Sequence, residues 1–438
     1  MGTNYNLIGS STGRATVCGA VCWRFEFSPI NFLLQKLFLK RGFYMIDNEV
    51  RDILWAERMR QQDTIELIAS ENFVSEETMM MAGSIFCNKY TEGYPGNRYY
   101  GGCKHYDKLE KLCQERWLKV FNAENDYHCN VQPHSGSQAN FAAYMALCQP
   151  GDTILAMSLD NGGHLTHGSS VNFSGKIYNV VFYNVDKNGF IDYNDIRNKI
   201  RQYAPKVVLA GASAYSREIN FEKIYSILCS EYPTGGPYGP RPYFMVDMAH
   251  IAGLIAAGDH QSPFGYADVI TTTTHKTLRS IRGGLIFCKK ELAKKVDSAV
   301  FPGSQGGPLQ HIIAAKAVGA LECLQPEYKE YIHRVVKNTK AMCDEFISMG
   351  YKVVTGGTDN HLFLLDLSDL NVTGKDVQDA CEKYGITLNK NCVPGEKRSP
   401  KLTSGVRIGC AAETTRNKTE NDFREIAHKI DEIIKGIN

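Results

Sequence analysis

The chain lacks several patterns that would point to particular protein classes. Its 14 cysteines include no C-x-x-C pair, which argues against a zinc ribbon or a thioredoxin-like redox site. It has no long run of like charges and a formal net charge of +2, so a nucleic-acid or membrane-surface role gains no electrostatic support. No apolar run approaches the length that spans a bilayer. We interpret the cysteines as reduced, mostly buried residues of an intracellular protein.

The first 44 residues are poor in acids. Glu26 is their single acidic residue, against the five basic residues Arg14, Arg24, Lys36, Lys40 and Arg41. An Arg-bearing, acid-poor N-terminus is similar to an organelle transit peptide. The alternatives are a disordered tail, or a gene-model artefact with translation starting at Met45. We expect a cytoplasmic protein, with a mitochondrial or other organellar location as the alternative.

Helices and strands alternate over the middle of the chain. With 438 residues, 43% of them hydrophobic, the chain can bury a large core and form more than one domain. Short apolar strands are predicted at 153–157, 206–210, 243–246 and 285–288, with helical segments between them. This alternation predicts a mostly parallel sheet covered by helices on both faces. A charged helix is predicted at 50–62, and a helical stretch at 311–349 with a break near Pro326.

Two strand ends bear residues of opposite charge. Asp247 ends an apolar run (FMVD, 244–247), and Lys276 follows the β-branched run ITTTTH (270–275). Ligands of parallel sheets bind beyond such carboxyl ends. A lysine held there can form an imine with a carbonyl compound, and a carboxylate can keep a pyridine nitrogen protonated. The pair predicts a pyridoxal phosphate site, although either residue alone is more often a surface cation or a helix cap.

Many segments share one family resemblance. From about Met45 onward, the chain resembles serine hydroxymethyltransferase, a fold-type I pyridoxal phosphate family. The segments that carry the resemblance are LIASEN (67–72), NKYTEGYPG (88–96), RYYGG (98–102), NVQPHSGSQAN (130–140), GGHLTHG (162–168), the Asp247 and Lys276 segments, and FPGSQGGP (301–308). A match of so many segments in family order argues against a chance similarity. Relative to the family, residues 233–240 form an inserted loop.

The resemblance implies a fold and a domain order. The fold is α/β and similar to aspartate aminotransferase, with a large mixed, mostly parallel sheet and a smaller C-terminal α/β domain. After the extension (1–44), it implies an N-terminal arm (45–106), a large cofactor domain (107–325) and a small domain (326–438). It also implies a homodimer with shared active sites, with a tetramer as the alternative.

The resemblance assigns the cofactor residues. Lys276 would anchor pyridoxal phosphate, Asp247 would pair with the ring nitrogen, and His164 would stack on the ring. Ser135, Gly136 and Ser137 would bind the phosphate, since small residues that open a helix expose N–H donors. The remaining cofactor residues are Tyr90, Ser213, His250, Thr273, His275 and Arg282, with Gly306 and Gly307 from a neighbouring subunit. His164 and His167 could instead bind a metal, but no third ligand is apparent, so no metal site is predicted.

Substrate residues follow from the same resemblance. Arg407 would bind the amino acid carboxylate, assisted by Ser70 and Tyr100, with Tyr90 and Glu92 arriving from the partner subunit. Glu92 would act as acid and base around the serine hydroxyl and tetrahydrofolate. Leu159, Gly163 and Asn391 would complete the folate site. The expected reaction interconverts serine plus tetrahydrofolate with glycine, methylene-tetrahydrofolate and water, in one-carbon metabolism.

Three segments depart from the family pattern. Ser280-Ile281 replaces Gly-Pro just after the anchor lysine, the run from Cys410 to Glu413 replaces Thr-Pro-Ala-Leu, and Ser216 replaces a common Pro. These changes put substrate affinity and folate positioning in doubt more than the chemistry. A folate-independent threonine or 3-hydroxy amino acid aldolase and a non-catalytic paralogue remain the alternatives.

Overall fold

The computed structural model describes residues 47–233 and 239–437. The predicted N-terminal extension, residues 1–44, lies outside the described residues, as does most of the predicted inserted loop at 233–240. The chain divides into two compact units, residues 1–62 and 63–438. The described part of the first unit is almost entirely helix α1 (Asn48–Asp63), which confirms the predicted charged helix and buries none of its side chains.

Within the described residues, the second unit contains the remaining α-helices and the strands. The helices are α2 (Glu76–Ala82), α3 (Lys104–Val120), α4 (Gly136–Leu147), α5 (Phe173–Ile177), α6 (Tyr193–Tyr203), α7 (Phe221–Glu231), α8 (Ala252–Ala257), α9 (Ala293–Ser298), α10 (Gln310–Cys323), α11 (Pro326–Ser348), α12 (Gly374–Lys383), α13 (Ala411–Thr415) and α14 (Glu420–Lys435). The strands are β1 (Ile65–Glu66), β2 (Gly93–Tyr94), β3 (Asn97–Arg98), β4 (Tyr127–Asn130), β5 (Thr153–Met157), β6 (Asn179–Tyr183), β7 (Val207–Ala210), β8 (Tyr243–Asp247), β9 (Val269–Thr273), β10 (Gly284–Lys289), β11 (Lys352–Val353), β12 (Leu362–Asp366), β13 (Ile386–Thr387), β14 (Asn389–Asn391) and β15 (Gly405–Gly409).

The central sheet has seven strands in the order β4-β10-β9-β8-β7-β5-β6. Strands β9, β8, β7, β5 and β6 are parallel, whereas β10 is antiparallel to both of its neighbours. The two reversals make β4 run in the same direction as β9, so their carboxyl ends lie at the same edge. Every residue of β7 and β9 is buried, as expected for parallel strands covered on both faces. The predicted α/β fold with a mixed, mostly parallel sheet is confirmed.

A smaller antiparallel sheet follows, in the order β11-β12-β15-β14. Its apolar residues and those of α11, α12 and α14 share a second hydrophobic core, which includes Phe346, Phe363 and Phe423. Pro326 begins α11, where a missing N–H costs nothing, so the predicted break in the long helical stretch is confirmed. None of the described helices combines the length and apolar character needed to cross a bilayer.

Candidate active site

A cavity of about 390 Å³ opens at the carboxyl ends of the parallel strands. Both charged residues predicted at strand ends line it, because Asp247 ends β8 and Lys276 lies three residues beyond β9. Arg407 reaches it from β15 of the smaller sheet. The other predicted residues in its lining are Ser70, Ser135, Gly136, Ser137, His164, Ser213, His250, Thr273, His275 and Arg282. The structure therefore brings together segments that lie far apart in sequence.

Asp247 is held as a buried carboxylate. Its Oδ2 accepts hydrogen bonds from Asn140 Nδ2 at 2.8 Å and His167 Nε2 at 3.0 Å, and its Oδ1 accepts one from Ala249 N at 3.0 Å. Burial acts to raise the pKa of Asp247, but the hydrogen bond and charge of His167 outweigh it and hold the pKa well below its usual range. The carboxylate therefore stays ionised and can hold a proton on a heterocyclic nitrogen.

Lys276 has the properties of an amine that can react near neutral pH. Burial lowers the pKa of Lys276 to about 8, which Asp247 opposes and Arg407 and Arg282 reinforce. Among the described contacts, its Nζ has no hydrogen-bond partner, whereas its carbonyl accepts a hydrogen bond from Asn72 Nδ2 at 2.9 Å. The backbone at Lys276 is thus fixed while the amine remains available to a ligand.

The N-terminus of α4 provides an anion site. Ser135 caps the helix, since its Oγ accepts a hydrogen bond from Gln138 N at 3.3 Å. Gly136 lies so close to Thr273 that a Cβ at position 136 would come within 2.5 Å of Thr273 Cγ2. Thr273 Oγ1 and His275 Nδ1 are buried without a hydrogen-bond partner. Orphaned polar atoms beside a helix N-terminus fit the phosphate of the expected cofactor.

Arg407 is oriented by its neighbours. Its Nε donates to Asn389 Oδ1 at 3.1 Å, and its Nη1 donates to the carbonyl of Ser213 at 2.7 Å. Burial lowers the pKa of Arg407 to about 10, a value at which the guanidinium is still charged at neutral pH. Its Nη2 has no partner among the described residues, so this nitrogen can donate hydrogen bonds to a carboxylate.

Three histidines, His164, His250 and His361, lie beside these charges. Burial lowers the pKa of His164 to about 4, and its Nδ1 lies 2.8 Å from Thr166 Oγ1. His250 Nδ1 lies 3.2 Å from His361 Nε2, and burial lowers the pKa of both rings. Neutral imidazoles can stack on a cofactor ring without repelling its cationic nitrogen.

A third candidate metal ligand does exist. Side-chain atoms of His164, His167 and Asp247 lie within 4.8 Å of one another. Asp247 is more than 80 residues from His164 in sequence, so the spacing of the two histidines could not reveal it. The hydrogen bond between His167 and Asp247 already accounts for the proximity of those two groups.

Eight predicted residues lie outside the cavity lining. Tyr90, Glu92, Gly306 and Gly307 are neighbours, since a Cβ on Gly307 would come within 2.8 Å of the Tyr90 ring and one on Gly306 within 3.4 Å of Glu92 Oε1. The ring of Tyr100 contacts that of Tyr90, with the centroids 5.9 Å apart and the planes tilted by 46°. We call these five residues the Tyr90 cluster. The remaining three, predicted for folate, are Leu159, Gly163 and Asn391.

Of the three residues predicted for folate, Gly163 adjoins a residue of the cavity lining in sequence. Leu159 opens a 3₁₀ turn after β5 and is half exposed, and Gly163 directly precedes His164. Gly163 allows close packing, because a Cβ there would lie 2.3 Å from the Met157 carbonyl oxygen. Asn391 ends β14, the strand that pairs with the Arg407 strand.

The departures from the family pattern avoid the cavity. Glu413 Oε1 accepts hydrogen bonds from Glu66 N at 3.0 Å and Arg416 Nη1 at 2.8 Å, and Lys418 Nζ lies 3.6 Å from its other oxygen. Glu413 is therefore compensated by these cations and does not contact Arg407, despite its proximity in sequence. Ser280 is fully buried, with its Oγ against Gly319 of α10.

Sequence reasoning missed two asparagines that hold Asp247 and the backbone of Lys276 in place. Asn140 Nδ2 bonds Asp247, and its Oδ1 accepts a hydrogen bond from Thr271 Oγ1 at 2.6 Å. Asn72 uses both of its amide hydrogens, on the Lys276 carbonyl and on Tyr331 OH at 2.7 Å. Both asparagines belong to segments that carry the resemblance. Only the tertiary structure indicates what each of them holds.

Comparison with known families agrees with this geometry. A family model described as serine hydroxymethyltransferase matches residues 43–430, nearly the whole chain. The family is of fold-type I, uses pyridoxal phosphate, and takes tetrahydrofolate as co-substrate. The chain is accordingly an enzyme that interconverts serine plus tetrahydrofolate with glycine plus methylene-tetrahydrofolate. The protein thus belongs to the serine hydroxymethyltransferase family.

Proposed function

We propose specific roles for the residues that line the cavity. The observation that carries the proposal is the convergence of Lys276, Asp247 and Arg407, each about nine-tenths buried, on one cavity. When bound, pyridoxal phosphate supplies an aldehyde and a cationic ring that accepts electrons from the substrate carbon. Ser135, Gly136 and Ser137 would hold its phosphate, while His164 would lie on its ring.

Each charged side chain of the cavity has a separate proposed role. Asp247 would hold a proton on the ring nitrogen, since its own pKa is held low. Lys276 Nζ would bind the aldehyde and exchange a proton at the substrate carbon, because its lowered pKa leaves part of the amine unprotonated. Arg407 and Ser70 would bind the substrate carboxylate. Leu159, Gly163 and Asn391 would line the folate site.

The Tyr90 cluster is proposed to act in a second copy of the chain. The cluster does not line this chain's cavity. Tyr90 is 65% exposed, and Tyr99, which precedes Tyr100 in sequence, is 73% exposed. Large exposed aromatic side chains are enriched in surfaces that another protein covers. In a homodimer, Glu92 would exchange a proton with the serine hydroxyl, and Gly306 and Gly307 would complete the phosphate site of the partner.

A mixed dimer tests this arrangement. Lys276→Ala and Glu92→Gln are each expected to be inactive alone. If Glu92 acts across the interface, random reassembly of the two variants makes half of the molecules hybrids with one intact site each, so about a quarter of wild-type activity returns. A mixture no more active than its separate components would contradict the shared site.

A visible spectrum tests the ligand set. The purified holoprotein should absorb in the visible, and an intense further band should appear only when glycine and tetrahydrofolate are both present. A response to glycine that folate does not alter would favour the folate-independent aldolase. A protein that stays colourless after addition of pyridoxal phosphate would contradict the assigned cofactor residues.

The proposed compartment is the cytoplasm. Every cysteine among the described residues is free of a disulfide, as is usual in a reducing compartment. Fluorescent fusions starting at Met1 and at Met45 would test this. We expect both to be cytoplasmic, and organellar import of the longer fusion alone would contradict it.

A further inference from the structure

One fully buried lysine has no role in the chemistry described above. Lys316 lies on α10 and is only 1% exposed. Its Nζ donates to three backbone carbonyls, those of Val131 and Pro133 at 2.9 Å and that of Gly284 at 2.8 Å. Because an ammonium has three donors, these hydrogen bonds saturate it.

The charge of Lys316 has no carboxylate partner among the described ion pairs. The titratable groups that face it are Cys113 and Glu110 on α3, Cys129 on β4, and His134 in the turn before α4, where burial and the charge of Lys316 lower the pKa of His134. Glu110 is already engaged by Arg98 at 2.7 Å and by Gln132 and Gln310. Burial lowers the pKa of Lys316 to about 8. A buried cation without a counterion is costly, so its presence calls for a compensating anion.

The three carbonyls lie directly beneath the anion site of α4. Val131 and Pro133 precede Ser135, and Gly284 N donates back to the Pro133 carbonyl at 3.2 Å. Gly284 also packs on the helix cap, because a Cβ there would come within 2.3 Å of the Ser135 carbonyl oxygen. A Cβ on the preceding Gly283 would lie 2.4 Å from Lys316 Cε. The lysine therefore packs under the turn that presents Ser135, Gly136 and Ser137 to the cavity.

We propose that Lys316 is a positioning residue for the phosphate end of the cofactor. It holds the turn before α4 in place and supplies the buried positive charge that a phosphate dianion at this helix N-terminus complements. The inference rests on the proposed assignment of the phosphate to Ser135, Gly136 and Ser137. It adds a residue on α10 that does not line the cavity.

Two probes with the same ring isolate the phosphate contribution. They are 4′-deoxypyridoxine and its 5′-phosphate, which lack the aldehyde and so cannot bond covalently to Lys276. We call the dissociation constant of 4′-deoxypyridoxine divided by that of its 5′-phosphate the phosphate probe ratio. Calorimetry on the full-length protein freed of cofactor would measure this ratio. In Lys316→Met, which preserves length and volume, we expect this ratio to fall about tenfold, while the unphosphorylated probe binds within about twofold of wild type.

A matched control separates this effect from general destabilisation. Lys199 of α6 donates to the Phe182 carbonyl and to Asp195, at the β6 edge of the sheet. Lys199→Met should leave the ratio unchanged. If Lys316→Met weakens both probes equally, or changes neither, the proposal fails. A ratio near one in the wild-type protein would instead contradict the assignment of the phosphate to Ser135, Gly136 and Ser137. Failure of that assignment is therefore distinguishable from failure of the role proposed for Lys316.

A pH series on otherwise native protein covers the case in which Lys316→Met does not fold. The probe phosphate is a dianion above about pH 7, since its second pKa is near 6. Protonated Lys316 favours the dianion, so the ratio should be highest between about pH 7 and pH 8 and decline above pH 8. The series would be run in Lys276→Ala, because Lys276 titrates in the same range. A ratio constant from pH 7 to 9.5 would contradict the proposal.

Discussion

The surroundings of the two buried lysines, Lys276 and Lys316, differ in one respect that decides their chemistry. Burial lowers both pKa values to about 8, with the same largest cause. Lys316 uses all three ammonium donors on backbone carbonyls, whereas the amine of Lys276 faces the cavity with no hydrogen-bond partner among the described residues. A lowered pKa therefore does not by itself identify a reactive lysine. The difference lies in whether the lone pair, once free, can reach a ligand.

Removing the amine of Lys276 should have the largest effect. Lys276→Ala is expected to lower turnover of serine by about 1,000-fold or more, since it deletes both the group that bonds the cofactor and a proton-transfer group. Steady-state assays with saturating cofactor measure this. Lys316→Met, assayed alongside with saturating cofactor, should retain turnover within about tenfold. Undiminished activity of Lys276→Ala would overturn the assignment of the anchor.

Replacing the two lysines should change stability by different amounts. In the cofactor-free protein, charged Lys276 is buried without a hydrogen bond, so Lys276→Met should raise the free energy of unfolding at pH 7 by up to about 3 kcal/mol. Lys316→Met removes a similar burial penalty, but three backbone carbonyls each lose a hydrogen bond at about 1 kcal/mol, so its net effect on the free energy of unfolding should be much smaller. Urea denaturation measures both.

The pH dependence of stability shows whether buried Lys276 stabilises or destabilises the folded protein. Its pKa is lower in the folded protein, about 8, than its usual value near 10.4, so the unfolded chain binds more protons between those values. Wild-type stability relative to Lys276→Met should therefore rise with pH over this window, and the penalty is fully present below pH 8. A stability difference that does not vary with pH would show that Lys276 is not desolvated as the structure implies.

A smaller effect is expected at the residue that fixes the Lys276 backbone. Asn72→Asp keeps the side-chain shape but removes the donors to the Lys276 carbonyl and to Tyr331 OH. We expect kcat to fall about tenfold, equivalent to about 1.4 kcal/mol, with the phosphate probe ratio unchanged.

Asn338 provides the matched control for Asn72. It is also buried, and its amide donates to Thr414 Oγ1 at 2.9 Å and the Lys418 carbonyl at 3.0 Å, without touching Lys276. Asn338→Asp should lower the melting temperature about as much as Asn72→Asp does, while its kcat stays within about twofold of wild type. Equal losses of kcat in the two variants would mean that Asn72 acts only through stability.

Local patterns in the sequence predicted much of the fold. The strand at 153–157 matches β5, the predicted strand at 243–246 is one residue short of β8, and the break at Pro326 separates α10 from α11. These features depend on short-range causes, namely buried apolar runs and the missing N–H of proline, which a sequence displays directly. The carboxyl-end rule also predicted that Asp247 and Lys276 would meet.

The sequence alone determined the residue types at the strand ends and, through the family resemblance, the chemistry they perform. Only the tertiary structure decided which distant groups surround them. It brings Asn140 and His167 to Asp247, Asn72 to the Lys276 carbonyl, and Lys316 beneath Ser135. It also directs Glu413 away from Arg407, towards Arg416. The physical reason is that hydrogen-bond partners and desolvation depend on distances between segments far apart in sequence, from 80 positions for His167 and Asp247 to 204 for Asn72 and Lys276, which no local pattern in a single sequence encodes.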